Sequence, residues 1–450
     1  METQSKKRTM SRRSFLSKSA MLGAAGFGMP YIIPSGVLAM NGNPGANDRI
    51  VIGGIGVGRQ GLPVIDSLSN LHTRIAAVAD VDLNQANAVA ERYDAEAYQD
   101  YRALLDRDDI DAVVVATPDQ WHALNSIHAA QAGKDIYCEK PLTLTVHEGR
   151  VLTEAVRKYD RVLQTGSQQR SSAIEHRGCT LIRNGRIGKV QRIISANYES
   201  PWHNGLPGEP VPEYLDWDMW CGPVEPHPYH PQLKVPRGNP GWISFFDFSG
   251  GEMTGWGTHG FDQVQWALGM DEGGPIAVWT EGDPFDPPTY TEPEGLARGN
   301  AICAHPKVYM EYPDGIVMEL GDGPRGGAIF IGDEGSITID RGILRSDPEE
   351  LVEEPLEDPE VELYQSNNHH QDWLDCIKER RKPICDVEIG HRSATVCHLG
   401  NIARWVSEVT GETGQRLEWD PVAERFTNSD VANTFLDRER RPPYQLPETV

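Results

Sequence analysis

The chain has 450 residues, 39% hydrophobic and 24% charged, which is apolar enough for a large core and long enough for two domains. Its formal net charge of -24 argues against a surface that tracks a nucleic-acid backbone, which needs clustered Lys and Arg. The 45 glycines follow no fixed period, so neither a collagen-like chain nor a low-complexity array fits.

At the amino terminus, Ser11-Arg12-Arg13-Ser14-Phe15-Leu16 precedes a short apolar stretch over 20–33, and Val37-Leu38-Ala39 offers small residues for cleavage. A basic region, an apolar core of that length and a cleavage point describe a signal peptide rather than a membrane anchor. The paired arginines resemble the twin-arginine export signal. Residues 1–39 are therefore expected to direct a folded protein to the periplasm. No later stretch reaches about 18 consecutive apolar residues, so no membrane span is predicted. The seven cysteines (Cys138, Cys179, Cys221, Cys303, Cys376, Cys385, Cys397) are scattered and lack C-x-x-C spacing. They read as mostly buried small hydrophobes, with neither a disulfide framework nor a zinc site implied.

Residues 41–48 (NGNPGAND) form a linker. From 49 onward, short apolar runs alternate with amphipathic stretches: strand 49–55, helix 62–70, strand 74–79 and helix 85–93. Strand 111–117 and helix 123–132 follow, then strands 135–138 and 161–165 with a helix over 146–159 between them. Continuous Val/Ile/Ala strands alternating with helices predict a parallel sheet covered on both faces. Beyond about residue 170 the character changes. Pro and Trp are frequent over 201–256, which predicts a loop-rich region. Residues 276–281, 307–320 around Pro313-Asp314-Gly315, and 328–339 around Asp333-Glu334-Gly335 read as antiparallel strands joined by hairpin turns. Segments 369–380 and 392–406 have helical periodicity, and the polar tail through Arg440-Arg441-Pro442-Pro443 is expected to lie over the surface as an extended arm.

Gly56-Val57-Gly58-Arg59-Gln60-Gly61 is a G-x-G-x-x-G placed directly after a predicted strand and opening a helix. The first glycine permits the tight turn, the second lets the backbone approach a pyrophosphate, and the third allows close helix–strand packing. The next strand ends Ala79-Asp80-Val81-Asp82. A carboxylate at Asp80 can bind both ribose hydroxyls of NAD and repels the extra phosphate of NADP, so NAD is the predicted cofactor. The fold expected is an α/β Rossmann domain over 48–169, followed by an α+β substrate domain over 170–450 with a large, mainly antiparallel sheet.

Two further strand ends carry distinctive residues: Ala116-Thr117-Pro118-Asp119-Gln120-Trp121-His122 and Cys138-Glu139-Lys140-Pro141. Ligands of open α/β sheets bind beyond the carboxyl ends of strands, where both segments fall. The E-K-P closely resembles the signature of the glucose–fructose oxidoreductase, inositol dehydrogenase and MocA family. The resemblance continues through Gln164-Thr165-Gly166-Ser167-Gln168-Gln169-Arg170, Asp216-Trp217-Asp218-Met219-Trp220-Cys221-Gly222-Pro223, Trp256-Gly257-Thr258-His259 and Glu388-Ile389-Gly390-His391-Arg392. It implies that Gly56, Gly58, Arg59, Gln60, Gly61, Asp80, Thr117, Pro118, His122, Glu139, Lys140 and Gln168 line the cofactor site. His122 is also suited to a structural role, capping the helix that follows. The resemblance further implies that Lys140 contacts both the nicotinamide ribose and the substrate hydroxyl, that Pro141 follows a cis peptide, and that Lys140 and His259 are catalytic. An ammonium beside a developing alkoxide stabilises it and assists proton transfer. Substrate contacts are expected from Lys140, Arg170, His259 and Asp262. The family usually carries an aspartate four residues before the histidine, where this chain has Gly255. Asp262, three residues after His259 on the same helix face, is the nearest replacement partner in sequence. An alternative is that Gly255 makes room for a bulkier substrate.

The segment 198–230 is rich in aromatics and histidines, and aromatic faces with polar tips suit a carbohydrate. Trp202, His203 and Tyr229 are the candidates there, whereas Trp217 and Trp220 read as core. His227-x-x-His230 is flanked by prolines and no H-E-x-x-H exists, so no metal is predicted. The leading expectation is hydride transfer between NAD and a sugar, polyol or glycoside hydroxyl. An exported protein meets no free nicotinamide pool, so the cofactor is expected to be bound before export and regenerated in place, with turnover redox-neutral overall. An NAD-assisted glycoside hydrolase or lyase, and a non-catalytic sugar- or nucleotide-binding homologue, are the alternatives. A homo-oligomer, dimer or tetramer, is expected from the resemblance and from a sheet left exposed in the second domain.

Overall fold

The central strands of the first half are almost wholly apolar and leave no polar face to present to water, and in the computed structural model they form a sheet whose central strands are buried on both sides. The structure describes residues 49–237, 240–291 and 305–447. The expected export signal, the 41–48 linker and Cys303 lie outside these residues. The first sheet has six strands: β1 (Val51–Ile55), β2 (Arg74–Ala79), β3 (Glu96–Tyr98), β4 (Ala112–Val115), β5 (Asp135–Cys138) and β6 (Leu163–Thr165). All neighbours pair in parallel, in the order β3-β2-β1-β4-β5-β6. The direction of winding reverses between β1 and β4, so a crevice opens beyond their carboxyl ends. Helices α1 (Gly61–Ser69), α2 (Leu83–Tyr93), α3 (Asp119–Gln131) and α4 (Val146–Lys158) make the crossovers.

Local sequence explains most of these boundaries. Asp82 caps α2 by accepting from Gln85 N at 3.1 Å. Thr145 caps α4 through Glu148 N at 3.2 Å, while the Glu148 carboxylate returns to Leu144 N at 2.8 Å. Helix α3 begins at Asp119, four residues earlier than apolar periodicity indicates. Its first turn buries polar side chains, Asp119, Gln120 and His122, a pattern that hydrophobic spacing does not register.

The second sheet has nine strands, in the order β15-β14-β13-β7-β12-β11-β9-β16-β17. In chain order they are β7 (Val190–Ala196), β9 (Ala277–Glu281), β11 (Lys307–Glu311), β12 (Val317–Gly321), β13 (Ala328–Gly332), β14 (Ser336–Asp340), β15 (Ile343–Asp347), β16 (Leu417–Asp420) and β17 (Arg425–Phe426). β8 (His203–Asn204) and β10 (Thr289–Tyr290) pair separately. The two predicted hairpins, β11–β12 and β13–β14, are antiparallel. β7 and β12 pair in parallel, so the sheet is mixed and mostly antiparallel. Helices α5 (Ala173–Arg183), α6 (Gly257–Leu268) and the 24-residue α8 (Val387–Thr410) cover one face of it.

The first sheet borrows part of its cover from late in the chain. Trp373, Leu374 and Cys376 of α7 (His369–Glu379) join its core beside Ile52 and Val114. Beyond α8 the chain returns as an arm: Tyr444 packs edge-on against Trp121 of α3, with ring centroids 5.2 Å apart. Arg441 Nε donates to Gly222 O at 2.7 Å. Residues Ile50–Val450 thus form one compact unit. The six described cysteines are buried and unpaired. Among the described residues no helix is long and apolar enough to cross a membrane.

Candidate functional site

The three glycines after β1 have three distinct environments. Gly56 adopts φ +78°, and a Cβ there would lie 2.8 Å from the Ala116 carbonyl carbon. At Gly61 a Cβ would come within 2.0 Å of Gly56 O, so α1 can approach the strand only without a side chain. A Cβ on Gly58 would meet nothing within 4 Å. Gly58 therefore faces open space at the amino end of α1, where N–H groups favour an anion. That space is a cavity of ≈ 210 Å³ walled by Gly56, Gly58, Arg59, Asp80, Thr117 and Pro118, with Trp121 and Trp242 opposite.

Asp80 stands at the end of β2. Its carboxylate accepts from Val57 N and Asp82 N, both at 3.0 Å. Burial raises its pKa and these N–H donors oppose the rise. A carboxylate has about four lone-pair sites, so it retains capacity for two ribose hydroxyls. Lys234 pairs with the neighbouring Asp82. The open glycine, the acidic strand end and the helix terminus fit a dinucleotide.

A second cavity of ≈ 70 Å³ lies inward, and Thr117 and Trp242 wall both. Asp119, His122, Glu139, Lys140 and Gly255 line it. The Lys140–Pro141 peptide is cis. The Lys140 ammonium donates to Gly255 O at 3.3 Å. Burial lowers its pKa, and the Glu139 carboxylate opposes that most strongly. Gln60 Nε2 donates to Glu139 at 3.1 Å, which ties the glycine turn to the E-K-P segment. His122 lies between two carbonyls, Pro141 O at 2.7 Å and Thr117 O at 2.9 Å. Burial lowers its pKa to about 4, so the ring is neutral and donates to only one of these two carbonyls. Asp119 accepts from Ser249 Oγ at 2.7 Å, and burial raises its pKa to about 7.

His259 is 5% exposed, and its Nδ1 has no hydrogen-bond partner among the described residues. Burial, then the charges of Lys140, Arg341 and Arg237, hold its pKa well below the usual imidazole range. It is therefore neutral at pH 7, with Nδ1 buried and unpartnered. Asp262 does not orient it. The Asp262 carboxylate is taken by Arg170 Nε at 2.8 Å and Ser393 Oγ at 2.7 Å. Arg170, 1% exposed, also donates to Asp271 at 2.7 Å. Arg170 and Asp262, both expected among the substrate contacts, neutralise each other inside the scaffold. Trp202, 2% exposed, stacks on Tyr290, and Tyr229 packs edge-on against Trp217, which itself stacks on Trp220. Trp202 and Tyr229 thus join the aromatic core that Trp217 and Trp220 were expected to form. His203 faces solvent near Glu408, 3.8 Å away. Gln168 is exposed at the start of the turn Gln168–Ser171.

Sequence reasoning overlooked Asp119, Trp242, Arg237 and Glu252. Asp119 lay within the segment already singled out, whereas the Arg237–Glu252 ion pair at 3.0 Å joins a loop to a helix start and leaves no local signal. His227 and His230 approach Asp247 and Glu209 at 3.2 and 3.4 Å. Among the described residues no three His, Cys, Asp or Glu side chains gather as metal ligands would.

Comparison with known proteins matches residues 49–167 to the oxidoreductase family's NAD-binding Rossmann fold and residues 189–446 to the same family's C-terminal alpha/beta domain. An uncharacterized oxidoreductase, YrbE, of Bacillus subtilis is 34% identical over 157 residues, covering 34% of this chain and 46% of its own. Inositol 2-dehydrogenase of Rubrobacter xylanophilus is 36% identical over 132 residues, 28% of this chain and 37% of its own. The chain thus spans less than half the length of these curated relatives. The fold is also that of the aldose-aldose oxidoreductase of Caulobacter crescentus, crystallised with glycerol. That match has a TM-score of 0.56 at 18% identity, over 82% of this chain and 99% of the other. The WlbA dehydrogenase of Bordetella pertussis, in complex with NADH and UDP-GlcNAcA, gives 0.55 at 17%, over 83% and 99%. Two consecutive models of one family, lying in order over both sheets, leave a single assignment: the chain belongs to the Gfo/Idh/MocA oxidoreductase family.

Proposed function

We propose that this protein is an NAD-dependent oxidoreductase acting on a CH–OH group of a sugar, polyol or glycoside, with the cofactor held tightly and regenerated in place. The observation that carries the reading is Lys140: a half-buried ammonium facing an inner cavity that shares its Thr117 and Trp242 walls with the dinucleotide cavity. When bound, NAD supplies the hydride acceptor. Gly58 and the start of α1 hold the pyrophosphate, and Asp80 holds the adenosine ribose and selects against a 2′-phosphate. Lys140 orients the substrate hydroxyl and stabilises the oxygen as it loses its proton. His259, neutral and with its buried Nδ1 unpartnered, is the acceptor assigned to that proton. Trp242 and Trp121 wall the cleft from water. The inositol 2-dehydrogenases and the aldose-aldose oxidoreductase among the similar proteins support the substrate class.

Mass spectrometry of the denatured protein should find NAD or NADH at near one per chain, and a sugar and polyol screen should change the bound-cofactor absorbance. Absence of any nucleotide, with NADP binding more tightly than NAD in titration, sinks the cofactor reading. Export by the twin-arginine route is part of the proposal and rests on Arg12 and Arg13. The double variant Arg12→Lys, Arg13→Lys should leave full-length precursor in the cytosol, and mature protein in its periplasm would refute the route. Assembly through the outer face of the second sheet, where Trp279 stacks on Tyr309 amid Lys307 and Glu319, supplies the expected homo-oligomer.

A further inference from the structure

Gly255 closes the short helix Glu252–Gly255, and the Lys140 ammonium rests on its carbonyl at 3.3 Å. The space over Gly255 is already filled. A Cβ there would lie 3.0 Å from Glu252 Oε2 and 3.1 Å from Arg237 Nη2. Glu252 opens the same helical turn and is 4% exposed. Its carboxylate accepts from Arg237 Nε at 3.0 Å and Nη2 at 3.1 Å. Taking such a pair out of water is costly, and a packed apolar pair of similar volume serves stability as well. A buried carboxylate kept beside a reacting ammonium calls for another reason.

The charges around Lys140 supply it. The Glu139, Asp119 and Glu252 carboxylates and the Arg237 guanidinium act on the ammonium. The imidazoles of His122 and His259 and the Cys397 thiol lie within reach of its field. Of these, Arg237 opposes the charged lysine, and Glu252 both favours it and neutralises Arg237. Any side chain at residue 255 pushes this pair away, so the glycine and the ion pair form one device.

We propose that Glu252 is the positioning carboxylate of this centre: it reaches over Gly255, engages Arg237 and keeps Lys140 seated on the Gly255 carbonyl where the substrate hydroxyl arrives. The inference rests on the reading of Lys140 as the residue that meets substrate, and its test is independent of turnover. Without Glu252, Arg237 becomes a bare cation beside Lys140, and like charges disfavour the ammonium.

Competitive acylation across pH, read by mass spectrometry on the Lys140 peptide of the full-length protein, titrates that amine without substrate. Glu252→Gln should lower its midpoint by about one unit. Adding Arg237→Gln should bring it back. In cofactor-reduction assays the alkaline limb of kcat should move the same way while KM changes little. An unmoved Lys140 midpoint in a Glu252→Gln protein that melts with the parent overturns the proposal. Should Glu252→Gln fail to fold, Arg237→Gln alone must raise the midpoint, and no rise overturns it equally. If the midpoints shift as stated and no sugar or polyol reduces the bound cofactor, the functional reading fails and the role of Glu252 stands.

Discussion

At Lys140 a single atom serves two surfaces, the Gly255 carbonyl and the inner cavity. Lys140→Met retains most of the volume and deletes the cation, so substrate oxidation should fall by about 10²-fold or more while the dinucleotide stays bound. Single-turnover reduction at the parent rate would remove Lys140 from the chemistry. Asp119 illustrates the cost of assembling such a site. Its carboxyl has an ordinary pKa of 3.8, and burial lifts it to about 7 in the folded chain. The unfolded chain therefore gives up this proton more readily, so the contribution of Asp119 to stability is full below about pH 4 and is lost as pH rises toward 7. Asp119→Asn retains an acceptor for Ser249 and cannot ionise. It should raise the melting temperature at pH 7–8 and leave it nearly unchanged at pH 4. An equal shift at both values would mean that the carboxyl is not held protonated by burial. His259 could be assigned from sequence by resemblance, but its missing partner could not. Asp262 has the right spacing, yet a carboxylate joins the strongest donor within reach, and Arg170 arrives from 92 positions away.

Among the elements, the β1–α1 turn makes the most divided forecast. Gly61→Ala puts a Cβ 2.0 Å from Gly56 O and should destabilise the protein by more than about 1 kcal/mol, since backbone must move. Gly58→Ala meets nothing in the chain and should fold normally while weakening dinucleotide retention. Denaturant titration beside nucleotide release separates the two. A Gly58→Ala protein that keeps its nucleotide like the parent would show that the pyrophosphate lies elsewhere. These positions were legible in the sequence because the turn, the strand before it and the acidic residue ending β2 are local signals. β2 and β5 were legible to the residue, each being a short apolar run opened by one charged residue. β7 was missed although it lies inside the second sheet, between β13 and β12. Its pattern, Val190-Gln191-Arg192-Ile193-Ile194-Ser195-Ala196, has no strict alternation, and only pairing with β12 and β13 makes it a strand. The packing of Trp202 and Tyr229 in the aromatic cluster was not legible for a related reason. An aromatic with a polar tip suits a sugar or a core equally, and three-dimensional neighbours decide between them.

For the whole molecule, the arm that returns from α8 is the feature with the widest reach. Tyr444 meets Trp121, which itself walls the dinucleotide cavity, and Arg440 pairs with Glu148 of α4 at 3.1 Å. Tyr444→Ala removes an aromatic contact of about 0.5–1.5 kcal/mol beyond its buried area. It should lower the melting temperature by a few degrees and speed nucleotide release, with KM for the organic substrate little changed. Faster release without any stability change would point to a direct contact instead. A nascent chain leaving the ribosome makes the six strands of the first sheet long before it makes Trp373, Leu374 or Tyr444. One face of that sheet and the Trp121 side of α3 are therefore left uncovered through most of elongation, and their cover arrives only as synthesis finishes.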